Sequence, residues 1–341
     1  DHCKMPKGAE ALPLGKVKSA TRPEGFKAPN EAVLGDKSAA LIDAIFGASD
    51  YRPDGIVSAL DLRDIVGEAD AQAEIEYPYT KLNDLLMGIR TSSLITIAAG
   101  SGVGKSTLVR EFAYAIHMSG KAGPVGMMML EETTKRSLQG LVGLHMNKNI
   151  TVDPDCATRE EIEASFDTLT QKQSVFFFDH FGGSDLQVIC NRIRYMNKAL
   201  GCRVIFLDHV SILISSATGG VTDERRMVDQ IMTDMRVLVQ ELDIALFLVS
   251  HLRRPQSEAG HEGGAKVQLS QLRSSHSIAQ LSDACIGLEV DSEDPTAGLR
   301  NLVVLKNRHT GSVGYAGSLR YDMASGRLSE VDAEFDSDVP F

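Results

Sequence analysis

Between an apolar run of strand length, Leu94 to Ala98, and a helical stretch lies Ala99-Gly100-Ser101-Gly102-Val103-Gly104-Lys105-Ser106-Thr107. Strand, glycine-rich turn and helix in that order leave little choice of fold. A phosphate loop works only at the carboxyl end of a buried strand, with a helix N-terminus aimed at the bound anion. Its glycines let successive backbone N–H groups curl round phosphates, its lysine reaches the terminal phosphates, and its serine hydroxyl ligates magnesium. The strict pattern opens on glycine, where this chain has Ala99; the Gly-Lys-Ser end is intact. A nucleoside triphosphate (NTP) substrate and Mg2+ are therefore expected, with Gly100 to Thr107 as the seat and Ser106 on the metal.

Further apolar runs at Val125–Leu130, Val175–Phe178, Val204–Leu207 and Ala245–Val249 alternate with longer amphipathic stretches. One of these, after Thr222, repeats Val228, Ile231, Met235, Leu238 and Leu242 on one helical face. The alternation predicts an α/β fold with a mostly parallel sheet covered by helices, and an antiparallel extension beyond Leu302. A magnesium shell needs a carboxylate at a strand end beside the loop. Asp208 and Asp179 both qualify locally, and Asp208 is preferred because His209 and a Ser-rich loop follow it. Glu131, with Glu132 beside it, ends the run after the loop helix and can reach a terminal phosphate as a base for water.

The net charge of −11 excludes a broad basic face for coating nucleic acid but leaves room for a local channel. No run reaches the 18 or so apolar residues of a membrane-spanning helix, and Asp1 to Gly8 carry no signal-peptide core. A cytoplasmic protein is expected. Five cysteines, without a C-x-x-C pair, read as reduced thiols. Residues 1–50 read as a connector, the acidic, Ala-rich Gly67–Tyr79 as a linker, and 331–341 as a disordered acidic tail. The helical stretch Ile56–Val66 is apolar on more than one side and needs an outside surface to pack on. A start at Asp1 rather than methionine suggests a piece of something longer.

In this order, Gly-Ser-Gly-Val-Gly-Lys-Ser, Met129-Leu130-Glu131-Glu132, Leu207-Asp208-His209, Ser250-His251-Leu252, Gln271-Leu272-Arg273-Ser274-Ser275, Gln280-Leu281-Ser282-Asp283 and Lys306-Asn307-Arg308-His309-Thr310-Gly311 resemble one family. It is the DnaB-like, RecA-fold class of hexameric replicative helicases, in particular the helicase half of the fused primase-helicases of T-seven-type phages and their mitochondrial relative. The resemblance covers about Lys27 to the C-terminus. It implies a RecA-like helicase domain over 81–330, a subunit-packing linker over 51–80, and, before these, the worn end of a primase (TOPRIM-like) region with no catalytic primase. It implies that Glu131 activates water, Asp208 is the Walker-B aspartate, His251 senses the γ-phosphate, and Arg308 is an arginine finger for a neighbour's nucleotide. Tyr321 matches the base-stacking aromatic, and Gln280 the glutamine linking nucleotide state to DNA loops. Arg253, Arg254, Lys266 and Arg273 are the implied DNA contacts.

The partners implied are single-stranded DNA, five or six further copies in a ring, and a DNA polymerase contacted through the acidic tail. A phage protein would sit in the host cytoplasm, and one closer to the mitochondrial relative in the matrix. Two departures stand out: Ser257, Glu258 and Ala259 replace family lysines in the DNA loop, and Val290 stands where near relatives place an arginine against the base. A RecA-like recombinase forming filaments is the alternative reading.

Overall fold

The computed structural model describes residues 18–20, 38–50, 57–64, 66, 73–171, 173–180, 185–209, 221–252, 260–261, 263–272, 276–291 and 298–331. The chain forms two compact units, Asp1–Ala71 and Gln72–Phe341. In the first, β1 (Lys18–Ser19) pairs antiparallel with β2 (Ser49–Asp50), and α1 spans Ser38–Phe46. The helix expected over Ile56–Val66 is not sustained: its described residues hold only a 3-10 turn, Ala59–Leu62, followed by turn residues. The physical reason is that Val57, Leu60 and Val66 are exposed, so no apolar face is buried to offset the cost of ordering a short helix. Lys27–Glu31 and residues 332–341, to which primase and tail roles were assigned, lie outside the described residues.

The second unit contains β3 (Ser93–Ala99), β4 (Val125–Met129), β5 (Val175–Phe177), β6 (Val204–Asp208), β7 (Ala245–His251), β8 (Ala284–Val290), β9 (Leu299–Asn307), β10 (Gly314–Tyr321) and β11 (Leu328–Val331). They make one sheet in the order β11-β10-β9-β8-β3-β7-β6-β4-β5. From β8 to β5 the pairing is parallel; β9, β10 and β11 extend it antiparallel. Apart from the half-buried edge strand β5, the parallel strands are buried on both faces, as crossover helices require. Along β3, Ile95, Ile97 and Ala99 face one core, while Leu94 and Ala98 face the other.

The first core is closed by α2 (Thr80–Leu86), α3 (Lys105–Ser119), α4 (Thr134–Met146) and α5 (Arg159–Thr170); the second by α6 (Leu186–Lys198), α7 (Val221–Leu242) and α8 (His276–Leu281). The predicted stripe of Val228, Ile231, Met235, Leu238 and Leu242 is the buried face of α7. The sheet unit begins ahead of position 81: Ile75, Tyr77 and Tyr79, read as linker, are core residues. Their acidic neighbours Glu74 and Glu76 face outward, to Arg203 and Lys121. The four described cysteines are free thiols, and burial raises those of Cys190, Cys202 and Cys285. Cys3 lies outside the described residues.

The helix behind the phosphate loop is tied to the far edge of the sheet. Buried Glu111 on α3 accepts from Arg327 Nε (2.8 Å) and Nη2 (3.1 Å) and from the Leu328 N–H (2.8 Å). A buried carboxylate with three donors is a satisfied one, and the fork of bonds fixes α3 against the start of β11.

Candidate active site

Four adjacent parallel strands, β3, β7, β6 and β4, end at the same edge of the sheet, and each delivers one part of the site. Ala99 is still strand, paired with His251 on β7 and Leu288 on β8, so alanine serves there as well as glycine. Glycine is required next. A Cβ on Gly100 would stand 2.5 Å from Cβ of His261, and Gly104, which caps α3, has φ +113°. Lys105 opens α3 and is buried, with Nζ donating to the Gly100 carbonyl at 2.7 Å. Burial lowers its ammonium from the ordinary lysine range, against the pull of Asp208 and Glu131.

Ser106 Oγ donates to Asp208 Oδ2 at 2.9 Å, joining the first turn of α3 to the end of β6. Geometry thus separates the two aspartates. Asp179 follows the outermost strand β5 and accepts from Thr134 Oγ1 at 2.8 Å instead. The other oxygen of Asp208, Oδ1, is buried without a hydrogen-bond partner. A hydroxyl and a carboxylate with a spare buried oxygen are hard oxygen donors, the set that suits a small divalent cation.

Burial, above all, pushes the Asp208 carboxyl up to about 6; Ser106 and Lys105 oppose the shift, and Glu131 and Glu132 add to it. A folded-state value above the unfolded one means that stability is lost as pH rises from about 4 through about 6, where the buried group must ionise. Asp208→Asn is therefore expected to stabilise the cation-free protein at neutral pH by on the order of 1–3 kcal/mol, seen as a higher unfolding midpoint. It should also cancel the further stabilisation given by a divalent cation with nucleotide. Thermal melts with and without cation measure both, and an undiminished cation response would remove Asp208 from the cation shell.

The two glutamates after β4 divide in role. Glu132 is held by Ser137 Oγ at 2.7 Å and by Arg110 and Arg136 at 3.6 and 3.9 Å, a charge group at the start of α4. Glu131 turns to the strand ends: its Oε1 lies 3.5 Å from His209 Nδ1 and 3.6 Å from His251 Nε2. The two imidazoles stand edge to face, with centroids 4.1 Å apart. These three side chains place ligand atoms within 4.8 Å of one another, close enough to share a metal ion of the softer, nitrogen-binding kind. The contact of His209 with Glu131 was not anticipated; its signal was its place directly after Asp208.

Other expected residues fall elsewhere. Arg308 follows β9, whose last residue Asn307 pairs with Ala284 at the amino end of β8. It is half-exposed, donating to Asp283 Oδ1 at 3.0 Å and the Gln280 carbonyl at 2.7 Å. Asp283 in turn is held by Arg236 and accepts from the Leu94 N–H at 2.9 Å. Gln280 and Arg308 therefore sit at the opposite end of β3 from the chain's own phosphate loop, across seven residues or about 20 Å. Gln280, matched to the glutamine linking nucleotide state to DNA loops, thus lies away from the nucleotide seat of its own chain, because α8 runs into the amino end of β8.

Tyr321 is on the loop side, at the end of β10, half-buried against the core and accepting from Asn149 Nδ2 at 3.4 Å. Lys266 is exposed on the segment leading to Val267, whose N–H donates to Glu289 at 2.6 Å. Arg253, Arg254 and Arg273 lie outside the described residues. Arg300, not singled out in the sequence, donates from Nε to the Val103 carbonyl in the phosphate loop at 3.0 Å.

A family model described as the DnaB-like helicase C terminal domain matches residues 75–327. Over 329 residues the chain is 33% identical to the DNA helicase/primase of Enterobacteria phage T3, covering 94% of this chain and 57% of that protein. It is 25% identical over 311 residues to the replicative DNA helicase DnaB of Leifsonia xyli subsp. xyli, covering 84% of this chain and 64% of that one. It thus spans a little over half to just under two thirds of these relatives. A solved DnaB-like replicative helicase, described with its primase interactions, superimposes with a TM-score of 0.65 at 18% identity, over 89% of this chain and 74% of that one, a likeness of fold. The recombinase alternative is not favoured by these matches. No helix among the described residues is long and apolar enough to cross a membrane. A match that takes in every strand from β3 to β10 and each of the four strand ends at the phosphate loop settles the kinship: the chain belongs to the DnaB-like helicase C-terminal domain family.

Proposed function

We propose that the chain is the motor part of a replicative DNA helicase, a ring of six or seven copies that couples NTP hydrolysis with Mg2+ to 5′–3′ movement along single-stranded DNA and so displaces the other strand. One observation supports this above the rest. The cradle, the Ser106–Asp208 oxygen pair and Glu131 converge at one end of the sheet, while Arg308 stands at the other, so Arg308 can serve only the nucleotide of another copy.

In this reading Lys105 and the loop N–H groups hold the β- and γ-phosphates, and Ser106 and Asp208 hold Mg2+. The bound ion supplies neutralisation of charge on the phosphoryl oxygens. Glu131 accepts the proton of the attacking water, and His209 and His251 fix the carboxylate between them. Arg308 of the adjacent copy meets the charge that develops on the phosphoryl group in transit. Loops carrying Arg253, Arg254 and Arg273, with Lys266, take DNA phosphates; one or two cations per copy suffice when every copy contributes to one strand. The acidic tail is the proposed contact for a DNA polymerase, and residues 51–80 the packing segment between copies.

A forked DNA duplex with a 5′ single-stranded arm is the test. Strand displacement is expected with ATP or dTTP and Mg2+, lost without nucleotide, and accompanied by hydrolysis that single-stranded DNA stimulates. Hydrolysis at full rate by a monomer, indifferent to protein concentration and to added oligonucleotide, would refute the motor reading.

A further inference from the structure

The phosphate loop has a neighbour that none of the roles above uses. Arg300, near the start of β9, is half-buried; its Nε donates to Val103 O at 3.0 Å and its Nη1 to its own neighbour's carbonyl, Leu299 O, at 2.8 Å. Among the described residues no carboxylate lies within ion-pair distance of its guanidinium, and burial pulls its pKa down. A partly desolvated cation left without a counter-charge costs stability, so its retention calls for something it binds.

Where it points follows from the ladder. Arg300 is the direct cross-strand partner of Val290 on β8 and of Leu319 on β10. Val290 and Leu319 belong to the core on the α3 face, so Arg300 rises on that face too. Tyr321, two residues beyond Leu319, shares the face by strand alternation. In a phosphate loop the N–H groups turn in to the phosphates, so a donor bonded to the Val103 carbonyl stands outside the cradle, on its β9–β10 flank. What projects from the cradle past that flank is the nucleoside rather than the triphosphate.

We propose that Arg300, anchored on the Val103 carbonyl, is the cation that contacts the base of the bound nucleoside triphosphate, facing it together with Tyr321. This deepens the reading of the loop as an NTP seat and rests on it. A guanidinium lying on a base face favours no single base, so purine and pyrimidine triphosphates both gain from it.

The test compares ATP with inorganic tripolyphosphate, which fills the cradle and has no base, by titration calorimetry with Mg2+. Arg300→Met keeps the apolar stem and is expected to weaken ATP about 5- to 30-fold while leaving tripolyphosphate within about twofold. The exchange Val290→Arg with Arg300→Val should recover most of the ATP affinity. Equal weakening of both ligands would make Arg300 a brace of the loop and overturn the proposal, as would unchanged ATP binding or an exchange that folds, binds tripolyphosphate and recovers nothing. If the unaltered protein binds neither ligand, the NTP seat itself fails, a result distinct from each of these.

Discussion

Arg308→Ala is expected to lower nucleotide hydrolysis by assembled protein about 10³- to 10⁵-fold, with nucleotide affinity nearly unchanged. The separation of effects follows from position. Arg308 lies at the amino end of the sheet, away from its own phosphate loop, so a chain without it still has an intact cradle. The substitution should be tolerated by the fold. Asp283, the buried carboxylate that Arg308 engages, keeps Arg236 and the Leu94 N–H as partners and is not left as an uncompensated charge. Steady-state hydrolysis, equilibrium binding and a thermal melt on the same preparation measure the three quantities. Mixing Arg308→Ala with Glu131→Gln subunits should restore part of the activity, because some seams then join an intact Glu131 to an intact Arg308. Confirmed mixed assemblies that stay inactive would count against an arginine acting between copies.

Glu131→Gln is the second large effect, a loss of about 10²- to 10⁴-fold in single-turnover hydrolysis with binding and assembly retained. Glutamine fills the same space but cannot take a proton from water. Glu132→Gln supplies the contrast. Its carboxylate is already engaged by Ser137, Arg110 and Arg136, so that change should alter stability modestly and leave the chemical step near normal. The reverse pattern, with hydrolysis abolished by Glu132→Gln and unaffected by Glu131→Gln, would exchange the assignments.

The phosphate loop and the five apolar runs were legible because a buried parallel strand is a run of apolar residues and little else imitates one of that length. β8 was not, since Glu289 interrupts Ala284–Val290. That glutamate is half-buried, raised by burial and paired with the Val267 N–H, an arrangement that only the folded chain reveals. Ile75, Tyr77 and Tyr79 carried a strand-like alternation that the surrounding acidic residues obscured. In the opposite direction, the composition of Ile56–Val66 suggests a helix, yet among its described residues Val57, Leu60 and Val66 are exposed and form no buried face. At the site, residue types and neighbours already favoured Asp208 over Asp179, and sheet order adds the physical reason: β6 ends beside Ser106, whereas β5 is the outermost strand. The resemblance favoured Glu131 over Glu132, but what surrounds each is visible only in the fold, and the register facing Arg300 with Val290 is a property of pairing rather than of spacing.

The central strand β3 carries the cradle at one tip and, through Leu94 and Asp283, the mount of Arg308 at the other. Under the proposed function this strand has unlike poles, and copies join pole to opposite pole. An open row always ends in one seat without an arginine and one arginine without a seat. Bending the row shut removes both loose ends at once, so the last contact to form adds a working site without adding a subunit.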